Sequence, residues 1–249
     1  MLRRLRDLDN CQVQSVEGQD VGTLEDVFFD DERWTVRYLI VRAGHWLTGR
    51  SVLLSPMAVE DVSWEDRQIA VDLTQDQIKG APSADDAHPI TREWEAEYAG
   101  YYGLPYYWDG PSAWGIGPTP LAGRALVKSA RPAPSVVRGA DQRLKSARDV
   151  RGYHIHARDG QIGHVEDFLI DDVTWMVRYL MVDTSNWIGG RTVLVAPEWA
   201  SRIDWMRQEV HVQLTRDAIK ACPPYDESRI IDRAYEDRLA DVYRRAARY

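Results

Sequence analysis

RWTVRYLIVRAGHWLTGR, from Arg33 to Arg50, and TWMVRYLMVDTSNWIGGR, from Thr174 to Arg191, carry one pattern twice. Trp, Val-Arg-Tyr-Leu, Val, Trp and Gly-Arg recur at identical spacing, 141 residues apart (174 less 33). Extended outward, the offset holds without a gap from Val21/Ile162 to about Tyr102/Tyr243. It passes through Gly22/Gly163, Glu25-Asp26/Glu166-Asp167, Pro56/Pro197 and Leu73-Thr74/Leu214-Thr215. Before Val21 the offset becomes 142, as Asp7-Leu8 against Asp149-Val150 shows. A self-match of this length predicts two copies of one domain.

Within each copy the apolar residues alternate with polar ones in short runs broken by turn residues. In the first copy this predicts strands at Gln12–Gln14, Val21–Phe29, Trp34–Val41, Ser51–Leu54, Val59–Trp64 and Gln68–Leu73. A helical turn follows, with Thr74 as its N-cap. Beyond it, amphipathic helices are expected at about residues 91–98 and 229–248. The fold class read from this pattern is mainly β: two tandem small antiparallel barrels, each with a short helical appendage, packed as a pseudo-dimer. The expected boundaries are 1–82 for the first barrel, 83–146 for a helical extension and an aromatic Gly/Pro-rich connection, 147–223 for the second barrel, and 224–249 for a C-terminal helix.

Composition narrows the function classes. The 249 residues are 44% hydrophobic and 28% charged, as in folded globular proteins. A net charge of −8 argues against a nucleic-acid partner, because phosphate-backbone binders usually present net basic surfaces. No run approaches the roughly 20 apolar residues of a membrane-spanning helix, so no membrane insertion is expected. The start MLRRLRDLDN lacks an apolar h-region, which predicts a cytoplasmic location. Cys11 and Cys222 fall at non-equivalent positions, so neither a disulfide framework nor a zinc cluster is expected.

The signature Gly22-Thr-Leu-Glu-Asp26-Val-Phe-Phe-Asp30, then Trp34-Thr-Val-Arg37-Tyr-Leu-Ile-Val41, resembles the PRC-barrel domain family. Gly163 to Asp171 and Trp175 to Val182 repeat it, so the likeness covers roughly residues 5–82 and 147–223. The family includes the cytoplasmic part of the photosynthetic reaction centre H subunit and the C-terminal domain of a ribosome maturation factor. The sequence begins with neither the membrane helix of the former nor the N-terminal domain of the latter, so neither specific role is expected. The resemblance therefore implies the fold and a habit of acting as an interaction module.

Individual residues point to a limited chemistry. Arg37 and Arg178 lie mid-strand on a largely apolar face, which predicts structural ion pairs with Asp26 or Asp30 and with Asp167 or Asp171. The neighbouring acids Glu25, Asp31, Glu166 and Asp172 are read as turn and strand residues rather than metal ligands. His154, His156 and His164 are candidate metal ligands, since residues two apart share a strand face, although solvent-facing alternation is the simpler account. The run Tyr101, Tyr102, Tyr106, Tyr107, Trp108, Trp114 is a candidate interface or an internal packing element. A nucleophile elbow and a phosphate-binding Gly loop are both missing, so a non-catalytic scaffold for a protein partner is expected, with no cofactor. The alternative is a ligand- or metal-responsive sensor using the cleft between the barrels. Positions where the copies differ, Arg42 against Asp183 and His45 against Asn186, are the first places to seek divergence of function.

Overall fold

The computed structural model describes residues 1–47, 49–83, 90–127, 144–184, 190–228 and 231–246. The chain is mainly β and forms two compact units, each with one seven-stranded sheet. The first unit comprises Asp7–Ala147 with Asp172–Met176, and the second comprises Met1–Arg6, Arg148–Asp171 and Val177–Tyr249.

The opening strand, β1 (Leu2–Arg4), belongs to the second unit. The first unit then holds β2 (Gln12–Gln14), β3 (Asp20–Asp30), β4 (Thr35–Ala43), β5 (Ser51–Leu54), β6 (Val59–Ser63) and β7 (Gln68–Val71). They pair in the order β5-β4-β3-β2-β7-β6, and β8 (Leu144–Ser146) adds to β3. The second unit repeats the order with β9 (His154–Ala157), β10 (Gly160–Asp171), β11 (Val177–Asp183), β12 (Thr192–Val195), β13 (Ala200–Asp204) and β14 (Glu209–Val212). There the path is β12-β11-β10-β9-β14-β13, and β1 adds to β10. The six strands expected in the first copy are all present, but β2 pairs with β7 in parallel, as β9 does with β14, where a wholly antiparallel sheet was expected.

The units and the sequence copies differ in one respect that alternation did not reveal. Leu2, Arg3 and Arg4 stand against Asp171, Ile170 and Leu169, whereas Leu144, Lys145 and Ser146 stand against Asp30, Phe29 and Phe28. At the 142-residue offset these are equivalent strands on equivalent partners, exchanged between the copies. The expected boundaries at 1 and 147 therefore cut each sheet away from its seventh strand. The Asp172–Met176 turn also lies in the first unit, where Trp175 O accepts from Val36 N at 2.9 Å.

The pairing of β3 with β4 and of β10 with β11 explains the glycines shared by the two copies. Gly22 has φ +147° and Gly163 φ +67°, and a Cβ would come within 2.0 Å of Arg42 O or 1.9 Å of Asp183 O. Any other residue would push the paired strands apart. The strands bury Val13, Leu24, Val27, Leu39, Val41 and Ile69 in the first core, almost fully. β4 is buried along both faces up to Val41, not in alternation, because a helix covers its outer side.

That helix is α2 (Arg92–Tyr102), after the single turn α1 (Gln75–Lys79) capped by Thr74. Thr91 caps α2, accepting from Trp94 N, and Glu93 and Glu95 lie in its first turn, where the helix dipole favours negative charge. The helix was expected to stop near Tyr98 but runs on to Tyr102, and Gly103 ends it with φ +64°. It docks through Tyr98, whose hydroxyl donates to Leu53 O at 3.1 Å and accepts from Ser55 N at 3.0 Å. After α3 (Pro120–Val127), β8, the short α4 (Ala147–Val150) and α5 (Arg216–Ala221), the second unit closes on α6 (Arg233–Ala246). α6 makes the same bonds to Leu194 O at 3.1 Å and Ala196 N at 2.9 Å, but through Tyr243. The offset maps Tyr98 onto Leu239 and Tyr102 onto Tyr243, so one anchor is conserved in function while displaced by a helical turn.

Candidate functional site

A cluster of buried polar and aromatic groups lies in the first unit, where the aromatic connection folds over the start of β4. Arg37 on β4 is 1% exposed and Asp30, at the end of β3, 4% exposed. Arg37 Nε donates to Asp30 Oδ2 at 2.5 Å, and Nη2 lies 2.5 Å from the same oxygen. Arg37 Nη1 donates to Ala113 O at 2.5 Å. The guanidinium plane is covered by Tyr107, with 3.8 Å from Cζ to the ring centroid, and flanked by Trp114 at 5.1 Å. Charge pairing, hydrogen bonding and ring stacking together offset the cost of removing the cation from water.

Arg33 holds the same loop from the other side. It donates to Gly110 O at 3.1 Å and to the carbonyls of Tyr107 and Ser112, while its own backbone N–H donates to Asp30 Oδ1 at 2.5 Å. One carboxylate thus caps the β3–β4 turn and orients both arginines. Trp114, 1% exposed, completes the closure by donating Nε1–H to Thr174 O at 2.7 Å.

A second carboxylate, Glu95 on α2, is 3% exposed and gathers three donors. Tyr38 OH reaches it at 3.1 Å, Tyr107 OH at 2.8 Å and Arg92 Nη1 at 2.9 Å. Arg92 stacks on Trp108 at 4.2 Å, which stacks in turn on Tyr106 at 4.8 Å. Burial raises the Glu95 pKa above the ordinary 4.5, and Arg92 with the two phenols opposes that rise. Burial likewise holds the Tyr38 and Tyr107 phenols above their usual 10.0. A carboxyl whose pKa is higher folded than unfolded retains a proton that the unfolded chain has lost. Its contribution to stability is therefore complete below pH 4.5 and is lost as the pH rises through the elevated value. Glu95→Gln is expected to flatten this part of the curve of unfolding free energy against pH, measured by urea titration; a slope identical to that of the parent chain would contradict the assignment.

A recess of about 150 Å³ opens beside this network, lined by Asp30, Glu32, Arg33, Arg92, Tyr107 and Trp108. The donors of Arg37 and the acceptors of Glu95 are directed inward, so the network works as a lock on the connection. Of the expected interface residues, Trp114 is fully buried, Tyr102, Tyr106, Tyr107 and Trp108 are half-buried, and Tyr101 is 45% exposed. Most of the run packs within its own unit.

The structure brings Arg37 and Asp30 together but does not form the matching pair in the second unit. Arg178 is exposed and has no carboxylate partner among the described residues. Asp167, 1% exposed, is held instead by Arg151 at 3.1 Å and by Arg6 N at 3.1 Å. The loop that buries Arg37 follows the first copy only, so Arg178 keeps its hydration and needs no partner. Asp26 likewise takes Ser146 Oγ at 2.6 Å in place of Arg37, so both buried aspartates meet the arriving seventh strand or the residues next to it. Among the described residues the three candidate ligands form no metal-holding group: His164 is the register partner of His154 but lies 3.7 Å from Asp183, and the His156 ring lies tilted against that of His211 at 4.9 Å. Arg42 pairs with Glu25 at 2.5 Å across the same strands where the second copy has His164 and Asp183. The difference between Arg42 and Asp183 is thus balanced locally. His45 is described but Asn186 lies outside the described residues.

Sequence reasoning missed Arg92 and Glu95 as the second hub. Their signal was the match Arg92/Arg233 and Glu95/Glu236, an arginine and an acid kept on a helix outside the strand pattern. Glu236 accepts from Tyr179 OH at 3.4 Å, which repeats the Tyr38–Glu95 contact.

No helix among the described residues is long and apolar enough to cross a membrane. No curated protein matches the chain. The family model of the PRC-barrel domain matches residues 2–78, the stretch that carries Gly22, the Asp30–Arg37 pair and strands β2 to β7. Residues 2–78 are thus similar to a PRC-barrel domain.

Proposed function

We propose that this protein is a non-catalytic interaction or scaffold protein built on duplicated PRC-type barrels, with its docking face on the closed loop of the first unit. One observation carries this reading. Ile116, Leu121 and Val173 are 54%, 68% and 59% exposed, and all lie on segments that surround the buried Trp114. Ile116 is two residues from Trp114, Val173 adjoins the Thr174 carbonyl that Trp114 bonds, and Leu121 sits on α3, where Gly123 meets the Trp114 backbone. Large apolar side chains held out on an ion-paired platform suit a protein partner with an apolar surface.

Repetition of the strand order and of the tyrosine anchor supports a second barrel of the same type in the second unit. Exchange of β1 and β8 supports a pseudo-dimer that imitates a homodimer of single copies. A photoreactive residue at Leu121 is expected to capture one protein in the native cell. The triple variant Ile116→Asp, Leu121→Asp, Val173→Asp is expected to lose the same protein by co-purification, with an unchanged melting temperature. Retention of that partner by the triple variant would refute the docking face.

A further inference from the structure

The second unit carries a groove of about 300 Å³ lined by His156, Arg158, Ser201, Arg202, His211 and Gln213 with two apolar neighbours. Its basic groups come from three places. His156 lies on β9, with Arg158 in the turn after it, His211 lies opposite His156 on β14, and Arg202 lies opposite His211 on β13. The His156 and His211 rings stand 4.9 Å apart, and Arg202 Nη2 lies 3.2 Å from His211 Nε2.

The equivalent surface of the first unit has the opposite character. Offsets of 141 and 142 set Glu60, Asp61, Ala70 and Asp72 against Ser201, Arg202, His211 and Gln213, and Gln14 and Val16 against His156 and Arg158. Three acids in one copy have become a serine, an arginine and a glutamine in the other, and two histidines and a further arginine have been added. The backbone pairing is unchanged, since Gln14 faces Ala70 just as His156 faces His211. The fold therefore does not require the basic set.

Clustering the cations has a local cost. Desolvation, then Arg202 and His156, hold the His211 pKa below its ordinary 6.5, against the opposing pull of Glu209 and Asp204. Two carboxylates partly balance the set: Glu209 lies 3.3 Å from His211, and Asp204 3.3 Å from Arg202. Among the described residues neither Arg158 nor His156 has such a partner, so an anion seated between the arginines would relieve the repulsion.

We infer that this groove is a binding site for a phosphate group, either free or as the monoester of a small molecule. Two guanidinium forks and two imidazoles converging from separate strands offer more donors than the two oxygens of a carboxylate accept, and they suit the oxygens of a phosphate. The volume is at the lower end of small-ligand pockets, which suits a phosphate with a modest substituent.

The test uses the full chain and follows the ring signals of His156 and His211 by NMR. Inorganic phosphate, phenyl phosphate and acetate are titrated separately to millimolar concentration at pH 6. Saturable shifts with phosphate or phenyl phosphate, accompanied by a rise in both histidine titration midpoints, are the expected result. Tighter binding of phenyl phosphate identifies an ester as the source, and equal binding identifies the free anion. The double variant Arg202→Asp, His211→Ala restores the residues of the first copy and is expected to weaken binding at least tenfold while retaining its melting temperature. Arg158→Val, in an exposed turn, gives the same loss if the double variant folds poorly. Absence of a saturable shift, equal response to acetate, or phosphate binding undiminished in Arg158→Val would overturn the site.

Discussion

Arg37→Ala is expected to lower the stability of the first unit by roughly 3–5 kcal/mol, because it leaves the Asp30 carboxylate buried without its counter-ion. Asp30 would retain the Arg33 backbone N–H but lose both guanidinium contacts. The loop would lose the bond to Ala113 O and the cation beneath Tyr107 and Trp114. Arg178→Ala, at the equivalent position, is expected to change stability by no more than about 0.5 kcal/mol, because the side chain lost is exposed and has no carboxylate partner among the described residues. Urea unfolding of the two variants, followed by tryptophan fluorescence, checks the contrast. Equal costs would show that the aromatic loop does not bury one of these arginines more than the other.

Leu5→Ala is the second large effect. Leu5 is fully buried and lies in the second unit, directly after β1. Truncating a buried leucine costs about 2–5 kcal/mol, depending on how far the site collapses. The loss is expected to fall on the second unit, although the residue is near the start of the chain. Amide exchange should accelerate in β10 and β11 while β3 and β4 keep their protection. The equivalent position in the first unit is Ala147, itself 1% exposed, so that unit accepts a small residue at the site and the second does not.

Much of the fold was legible because the strands carry their own periodicity. β2 to β7 alternate or run apolar between turn residues, and the 141-residue offset doubled every observation. β1 and β8 escaped because Leu-Arg-Arg and Leu-Lys-Ser are three residues long, with one apolar residue each, and silent about their partners. A strand of this kind is fixed by the open edge it fills, which is a property of distant residues. The parallel pairing of β2 with β7 was hidden for the same reason.

The site shows the same limit. An arginine among apolar neighbours correctly announced the need for a carboxylate at Arg37. Identical letters around Arg178 announced it equally and failed, because burial there depends on a loop outside the repeat. The tyrosine anchor shows the converse: Tyr98 and Tyr243 do the same work at positions that alignment does not equate. The histidines at 154, 156 and 164 drew notice by their closeness in sequence, whereas His156 meets His211 from the adjacent parallel strand, 55 residues later. Neighbours across a sheet, rather than along the chain, set the chemistry of both the lock and the groove.

Strand exchange is the claim on which the division into units rests, and a pair of engineered disulfides reads it directly. With Cys11 and Cys222 replaced by serine, Arg4→Cys is combined with either Leu169→Cys or Phe28→Cys and oxidised, and the monomeric fraction is mapped by peptide mass spectrometry. Arg4 and Leu169 are register partners, so that pair is expected to crosslink; Phe28 is the partner of Ser146, so the other pair is expected to stay reduced. A crosslink between positions 4 and 28, with none between 4 and 169, would show that each copy keeps its own first strand and would contradict the exchange.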